Sequence, residues 1–294
     1  MKDMLVVSSN ADPASLNIRD RMLEIGTFEE VASFDRSPVY EGHEGYLVTI
    51  GDDSLYRNNL DAEAYGSFGF KARTVVYLSR HSSQTGRKSL TVHPIGNFSH
   101  ARYGGFFRQL VHCCPGAMTR ALRSMHAQVK EAGLDYAVSF EVTHHGPYLN
   151  TPTFFIEIGS DKEAWTEREP AEVIARAVLE AEPRGEGLVL LGVGGGHYAP
   201  RHTDVALKKA VSYSHIIPSH AIAGLGTQLL EEMLDYVCES RHVYFHRKSM
   251  GKEDAKRLTE FFESRGLEAI READLPDLPD LPDLPDLPDL PDPH

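Results

Sequence analysis

Fifteen histidines in 294 residues are the first chemical signal in this chain. Several sit where apolar, strand-like runs give way to polar residues. His81 lies in SRHSSQTG, His93 ends SLTVHP, and His144 and His145 end SFEVTHHGP. His197 and His202 flank APR in GVGGGHYAPRHT. Open α/β sheets place ligands beyond the carboxyl ends of their strands, so histidines gathered at such junctions are candidates for one site. Any one of them alone reads as an ordinary packed or surface residue. A catalytic zinc needs about three histidine or carboxylate ligands and an open position, and Glu141 and Glu157 are available as ligand or general base. There is no HExxH. Alternation along SFEVTHH puts Glu141, Thr143 and His145 on one strand face and His144 on the other. That arrangement keeps His144 and His145 from a shared metal unless the strand ends between them.

The glycines of GVGGGHYAPRHT invite a nucleotide reading, which the details oppose. A dinucleotide fingerprint needs a third glycine where His197 follows Gly196, and a phosphate loop needs a lysine that is absent. What remains is bare backbone able to approach a ligand closely and N–H groups able to stabilise an oxyanion. A tight structural turn would use the same glycines. Serine chemistry has no G-x-S-x-G elbow, and Ser82, Ser83 and Ser219 lack a diagnostic surround. Cys113 and Cys114 read as packed thiols rather than nucleophiles.

These residues need strands to carry them. Met4–Ser9, Tyr46–Ile50, Thr74–Ser79, Ser89–His93, Tyr136–His144, Phe154–Ile158, Leu188–Val193, Val243–His246 and Leu267–Arg271 read as strands. Helices are expected after Asp12-Pro13 as far as Gly26, over Met118–Ala132, Pro170–Ala181, Ala221–Val237 and Lys252–Arg265. Alternating strands and helices imply an α/β domain with a mixed, largely buried sheet. The expected organisation is one α/β domain over 1–271 and a tail over 272–294. The tail repeats Leu-Pro-Asp with a strict period of three, which forbids helix and ladder alike and reads as extended and disordered.

The formal charge is −13, but the seven aspartates from Asp274 to Asp292 leave only −6 for the rest. Between Ala64 and Lys130 there is no acid at all, while ten lysines and arginines and five histidines fall in that stretch. An acid-free segment of this length suggests a polyanionic partner. No apolar run approaches a membrane span, and the N-terminus does not read as a signal peptide. Three cysteines, two of them adjacent, fit neither a disulfide framework nor a zinc spacing. A reducing cytoplasm is the expected setting.

The segments SRHSSQTGRKSLTVHPIGN, EVTHHGPYLNTPTFFIEIGS, LGVGGGHYAPRHT and SHIIPSHAI together resemble the archaeal-type D-aminoacyl-tRNA deacylases, a family shared by archaea and plants. The resemblance runs in order over about residues 1–271 and excludes the tail. It implies an enzyme that hydrolyses the ester between a D-amino acid and the 3′ end of tRNA, with broad D-amino-acid specificity. Family members are described as using two zinc ions per subunit. In plants the family is linked to ethanol and acetaldehyde tolerance. The implied fold is a three-layer α/β/α architecture of the phosphorylase/peptidyl-tRNA hydrolase-like kind.

On this reading His81, His93, His144 and His145 hold metal, Glu141 is base or ligand, and His197 stands beside the ester. Asn97, Gly194, Gly195, Gly196, Tyr198 and Arg201 contact the substrate. The glycines there reject the L-enantiomer by close approach. Arg80, Arg87, Lys88 and Arg102 hold tRNA. No obligate protein partner is expected, and a monomer is. A zinc aminopeptidase, a peptidyl-tRNA hydrolase-like enzyme and a non-catalytic tRNA-binding protein stay open as alternatives.

Overall fold

The computed structural model describes residues 3–43, 45–181, 187–237 and 239–278. Cys238 and the Leu-Pro-Asp repeats from residue 279 onward lie outside the described residues. The first strand, β1 (Met4–Ser9), is buried along its whole length, as a central strand covered on both faces must be. Asp12 then caps α1 (Pro13–Ile25), its Oδ1 accepting the N–H groups of Ala14 and Ser15 ahead of a first-turn proline. An edge hairpin, β2 (Glu29–Phe34) and β3 (Ser37–Glu41), leads to β4 (Gly45–Ile50), which pairs with β1 in parallel. Then come α2 (Leu60–Phe68), β5 (Thr74–Arg80), β6 (Ser89–Pro94) and α3 (Pro115–Ala132). The sheet is completed by β7 (Ala137–Phe140) and β8 (Thr153–Gly159), followed by α4 (Arg168–Leu179).

The eight strands run in the order β2-β3-β4-β1-β5-β8-β6-β7. β5 and β8 are parallel, whereas β6 runs antiparallel to β8. One face, through Met4, Val6, Val76 and Ile156, packs on α1, α3 and α4. The other, through Leu5, Val7, Val75 and Tyr77, packs on Leu60 and Ala64 of α2. This is the layered, mixed-sheet α/β architecture expected.

The chain then builds a second sheet where one was expected. It comprises β9 (Leu188–Val193), α5 (Pro200–Lys208), β10 (Val211–Ile217), α6 (Ser219–Ile222), α7 (Thr227–Leu234), β11 (His242–Phe245), α8 (Lys252–Ser264) and β12 (Glu268–Ile270). Its four strands are all parallel, in the order β10-β9-β11-β12. Leu190, Tyr213 and Ile216 join the α3 core, and Leu191, Val243 and Phe245 pack against α7 and α8.

The two sheets are separate because β7 stops at Phe140, not at His144. The Glu141 N–H still donates to Val92 O of β6, at 3.0 Å. The next two N–H groups leave the first sheet: Val142 donates to His197 O and Thr143 to Ile216 O. Thr143 Oγ1 accepts the Ile216 N–H at 3.0 Å and lies 3.0 Å from His215 Nδ1. The helix expected over 221–237 is two helices, divided at Gly224-Leu225-Gly226, where two glycines in three residues remove helix propensity. β2, β3, α2, α5 and β10 were not expected as elements. The first residues of the tail are packed: Leu275 is buried, Ala210 N–H donates to Pro276 O, and Arg201 pairs with Glu272.

Two buried histidines secure this junction. Burial pushes His215 and His202 down to about 3. His202 Nε2 donates to Gly194 O at 2.8 Å. Both rings are neutral in the folded protein, whereas an unfolded histidine takes a proton near pH 6.5. The resulting cost is absent above about pH 6.5, grows as the pH falls below it, and is complete once the folded value near 3 is passed. The urea midpoint should therefore drop steadily between pH 7 and pH 4. A midpoint that stays flat over that range would contradict the assignment.

Candidate metal centre

The centre lies over the face of the first sheet that carries Tyr77 and Phe155. Alternation along β8 puts Phe154, Ile156 and Ile158 in the α1/α3/α4 core and turns Phe155 and Glu157 the other way. Ser79 of β5 and Thr91 of β6 flank Glu157 in register. Because β6 runs against β5, the carboxyl ends of these strands lie at opposite ends of the sheet. His81, just past β5, and His93, near the end of β6, still converge, because both side chains sit on the Glu157 face. The site is therefore built over the sheet's face rather than beyond its strand ends. It is roofed by the segments 141–146 and 196–198.

Glu141 is the hub. It is fully buried, and three imidazole nitrogens face its carboxylate: His81 Nδ1 at 3.1 Å, His197 Nε2 at 3.1 Å and His144 Nε2 at 3.3 Å. Glu157 lies 3.5 Å from His81 Nδ1 and 3.7 Å from His93 Nε2. The His93 ring lies 4.2 Å from His144 and 5.0 Å from His145, centroid to centroid. The predicted metal group of His81, His93, His144 and His145 is thus brought together, with His197 and both glutamates. His144 and His145 do share one site, correcting the alternation argument. The strand ends at Phe140, His145 takes a positive φ of 24°, and the two rings meet at 4.0 Å.

Burial opposes charge throughout the cluster, and close partners decide the outcome. His81 is disfavoured by burial, but Glu141 and Glu157 outweigh that and hold it up at about 9. Glu157 is raised by burial and lowered more by His81 and His93, to about 2. Burial, then His93, takes His145 down to about 3, and burial with His145 and His93 drives His144 well below its ordinary value.

The donor set fits a metal. His144 Nδ1 is 2.7 Å from Val142 O, a carbonyl that can only accept, so the proton is on Nδ1. His144 Nε2 therefore presents a lone pair to a carboxylate oxygen, and two acceptors face each other in a buried site. His93 Nε2, His144 Nε2 and His145 Nδ1 are buried without a hydrogen-bond partner. Such groups are costly unless a cation stands between them. Among the described residues, three sets have donor atoms within 4.8 Å of one another: His93, His144 and His145; His81, Glu141 and His197; and His93, Glu141 and Glu157.

Other predicted residues are placed differently. Tyr198 is 1% exposed, and its hydroxyl lies 3.0 Å from His81 Nε2, so it orients that ring from behind. Asn97 Nδ2 donates to Gly104 O and braces a loop. Arg201 turns away to Tyr244 and Glu272, in a cleft of about 570 Å³ at the end of the second sheet.

Gly194 donates to Ile217 O, and Gly195 donates to Ser219 Oγ at 2.9 Å, so neither N–H is available to an oxyanion. A Cβ on Gly194 would meet Ser249 Oγ at 2.3 Å, which makes Gly194 a packing glycine rather than a pocket wall. Of the predicted cationic residues, Arg80 rests over Trp165, Lys88 pairs with Glu167, Arg87 is half-buried, and Arg102 is exposed. Glu157, which the sequence offers as ligand or base but which the predicted metal group omits, lies in the cluster beside His81 and His93. Its signal was a lone acid in the otherwise apolar strand TFFIEIG.

Five histidines and two carboxylates gathered over the sheet of a layered α/β protein define a protein with groups that could hold a metal ion. A family model for D-aminoacyl-tRNA deacylase matches residues 68–270, and the chain belongs to that family. It is 35% identical to D-aminoacyl-tRNA deacylase of Pyrococcus furiosus over 91% of this chain and 99% of the relative. Its identity to the Methanosarcina acetivorans protein of the same name is also 35%, over 92% of each chain. A crystal structure of a conserved protein of unknown function superimposes with a TM-score of 0.85 at 31% identity, covering 93% of this chain and 98% of that one.

Metal retention tests the cluster directly. Glu141→Gln should lose zinc on dialysis against a zinc buffer that keeps the wild type loaded. Tyr198→Phe, which removes the hydroxyl behind His81, should weaken zinc by roughly 10-fold. Elemental analysis showing equal zinc in all three proteins would overturn the assignment.

Proposed function

We propose that the chain hydrolyses the ester bond joining a D-amino acid to the 3′ end of tRNA, releasing both, with zinc held at the Glu141 cluster. The observation that carries this reading is the His144 Nε2 lone pair turned toward the buried Glu141 carboxylate, within a cluster of histidines and glutamates, in a member of this family. The cluster offers more histidine and glutamate ligands than one ion needs, which suits the two zinc ions implied by the resemblance. A bound zinc supplies a Lewis acid and a water whose pKa falls to about 7.

The protein's own groups do the rest. Glu141 is spent on its three histidines and acts as a holding carboxylate rather than as a base that reaches substrate. His197 is 29% exposed, against 18% for His144, 6% for His81 and 0% for His93. Of these four it is the one at the mouth. Hydrolysis forms one C–O bond from water and breaks the ester C–O bond, so the departing ribose oxygen needs a proton. His197 is suited to carry that proton, with Glu141 fixing its ring. With Gly194 and Gly195 engaged, the Gly196 N–H is the loop's remaining donor for the developing oxyanion. Steric rejection of an L side chain falls to Gly195 and Gly196. Arg80, Arg87, Lys88 and Arg102 belong to the acid-free stretch that would meet tRNA phosphates. The same reading has a monomer acting in the cytoplasm, with the α/β unit running on through the packed residues 272–278.

The test is deacylation of D-Tyr-tRNA beside L-Tyr-tRNA, with and without chelator. The D-ester should be lost selectively, chelation should stop the reaction, and zinc should restore it. His197→Ala should lower kcat by about 100-fold or more. An intact D-ester overturns the activity, and hydrolysis by protein shown to be metal-free overturns the zinc.

A further inference from the structure

The loop between β6 and α3 shows three large rings to solvent. Tyr103, Phe106 and Phe107 are 59%, 48% and 58% exposed, an unusual cluster unless something covers it. The loop is held firmly. Asn97 N–H donates to Gln109 O, Arg108 N–H to Ser99 O, and Asn97 Nδ2 to Gly104 O. Gly104 and Gly105 have φ of +86° and +73°, and a Cβ on Gly104 would lie 1.6 Å from Leu55 O. Both glycines are therefore required for the rings to stand where they do.

The platform adjoins the metal centre. Gly146 N–H donates to Tyr103 O at 3.0 Å, the Tyr103 ring is 6.5 Å from His145, and the Phe106 ring is 5.4 Å from Tyr148. Its charge is of one sign: Arg102 and Arg108 are exposed, the Arg108 guanidinium lies 5.1 Å over Phe107, and no acid occurs from Ala64 to Lys130.

We propose that Tyr103, Phe106 and Phe107 stack the unpaired 3′-terminal bases of tRNA, while Arg102 and Arg108 pair with the phosphates between them. Aromatic rings interleaved with arginine are the chemistry of sequence-tolerant single-strand binding. The tether of Tyr103 to Gly146 sets the distance from the last base to His145. This inference rests on the deacylase reading and adds how the acceptor end is gripped.

Two measurements separate it from that reading. The first is steady-state hydrolysis of D-Tyr-tRNA beside D-tyrosine ethyl ester, which has no base to stack. Phe106→Ala and Tyr103→Ala should each raise KM for D-Tyr-tRNA by roughly 10-fold with little change in kcat. The ethyl ester should be hydrolysed as by wild type, and Phe106→Trp should restore KM. The second is quenching of a tRNA acceptor minihelix carrying 2-aminopurine as its terminal base, by wild type but not by Phe106→Ala. Hydrolysis of D-Tyr-tRNA without quenching, and with KM unmoved, overturns the stacking alone. Quenching without hydrolysis overturns the deacylase reading alone. If the rings instead seat a second copy of the chain, sedimentation will show a dimer that Phe106→Ala dissociates, and the stacking proposal falls.

Discussion

A fully buried carboxylate ringed by three imidazoles is the constraint around which this protein is arranged. A buried charge left uncompensated costs several kcal/mol, and Glu141 is fully buried with its carboxylate facing His81, His144 and His197. Protons on the surrounding imidazoles answer part of that cost, as the elevated His81 shows. They cannot answer all of it, because His144 gives its proton to Val142 O and turns a lone pair toward Glu141. A metal removes the conflict in one step, replacing facing acceptors by shared coordination. The fold therefore builds a site whose side chains could hold a metal ion.

Holding Glu141 there requires both sheets. Its own N–H belongs to β6, its neighbour Val142 is bonded to the glycine loop through His197 O, and Thr143 is bonded to β10. One short segment thus leaves the first sheet and joins the second, and the ligands on either side of Glu141 inherit that geometry. His202 reinforces the junction from within. Its Nε2 holds Gly194 O, and its ring lies 3.0 Å from where a Cβ on Gly192 would be. The glycines of this loop mainly serve close packing, which accounts for their number without a nucleotide and, at Gly194, without a substrate.

Much of this was legible in local pattern. Asp12-Pro13 announced a capped helix, the apolar runs announced buried strands, and the histidines at polar junctions marked the site. What misled was the assumption that pattern persists. Strict alternation along SFEVTHH separated His144 from His145, because nothing local says that Val142 and Thr143 will bond to elements 55 and more residues away. The antiparallel direction of β6 is equally invisible in sequence, so the histidines at its end and past β5 suggested a strand-end site where a face-centred one exists. Glu157 was readable and underweighted: a charge in the middle of TFFIEIG has no solvent to go to and must have a buried partner.

Recognition and chemistry are also joined by the covalent chain. The residues between Arg80 and Cys114 supply His81 and His93 to the centre, and between His93 and α3 they form the exposed aromatic loop. Gly96 N–H donates to His145 O and Gly146 N–H to Tyr103 O, so the loop and the His144–His145 turn are stitched together on both sides. A ligand held on the rings at 103–107 would press on the same backbone that orients two of the candidate metal ligands. The acid-free character of this stretch then has two causes. A surface carboxylate would repel a polyanion outside, and one turned inward would compete with Glu141 and Glu157 for the same imidazoles.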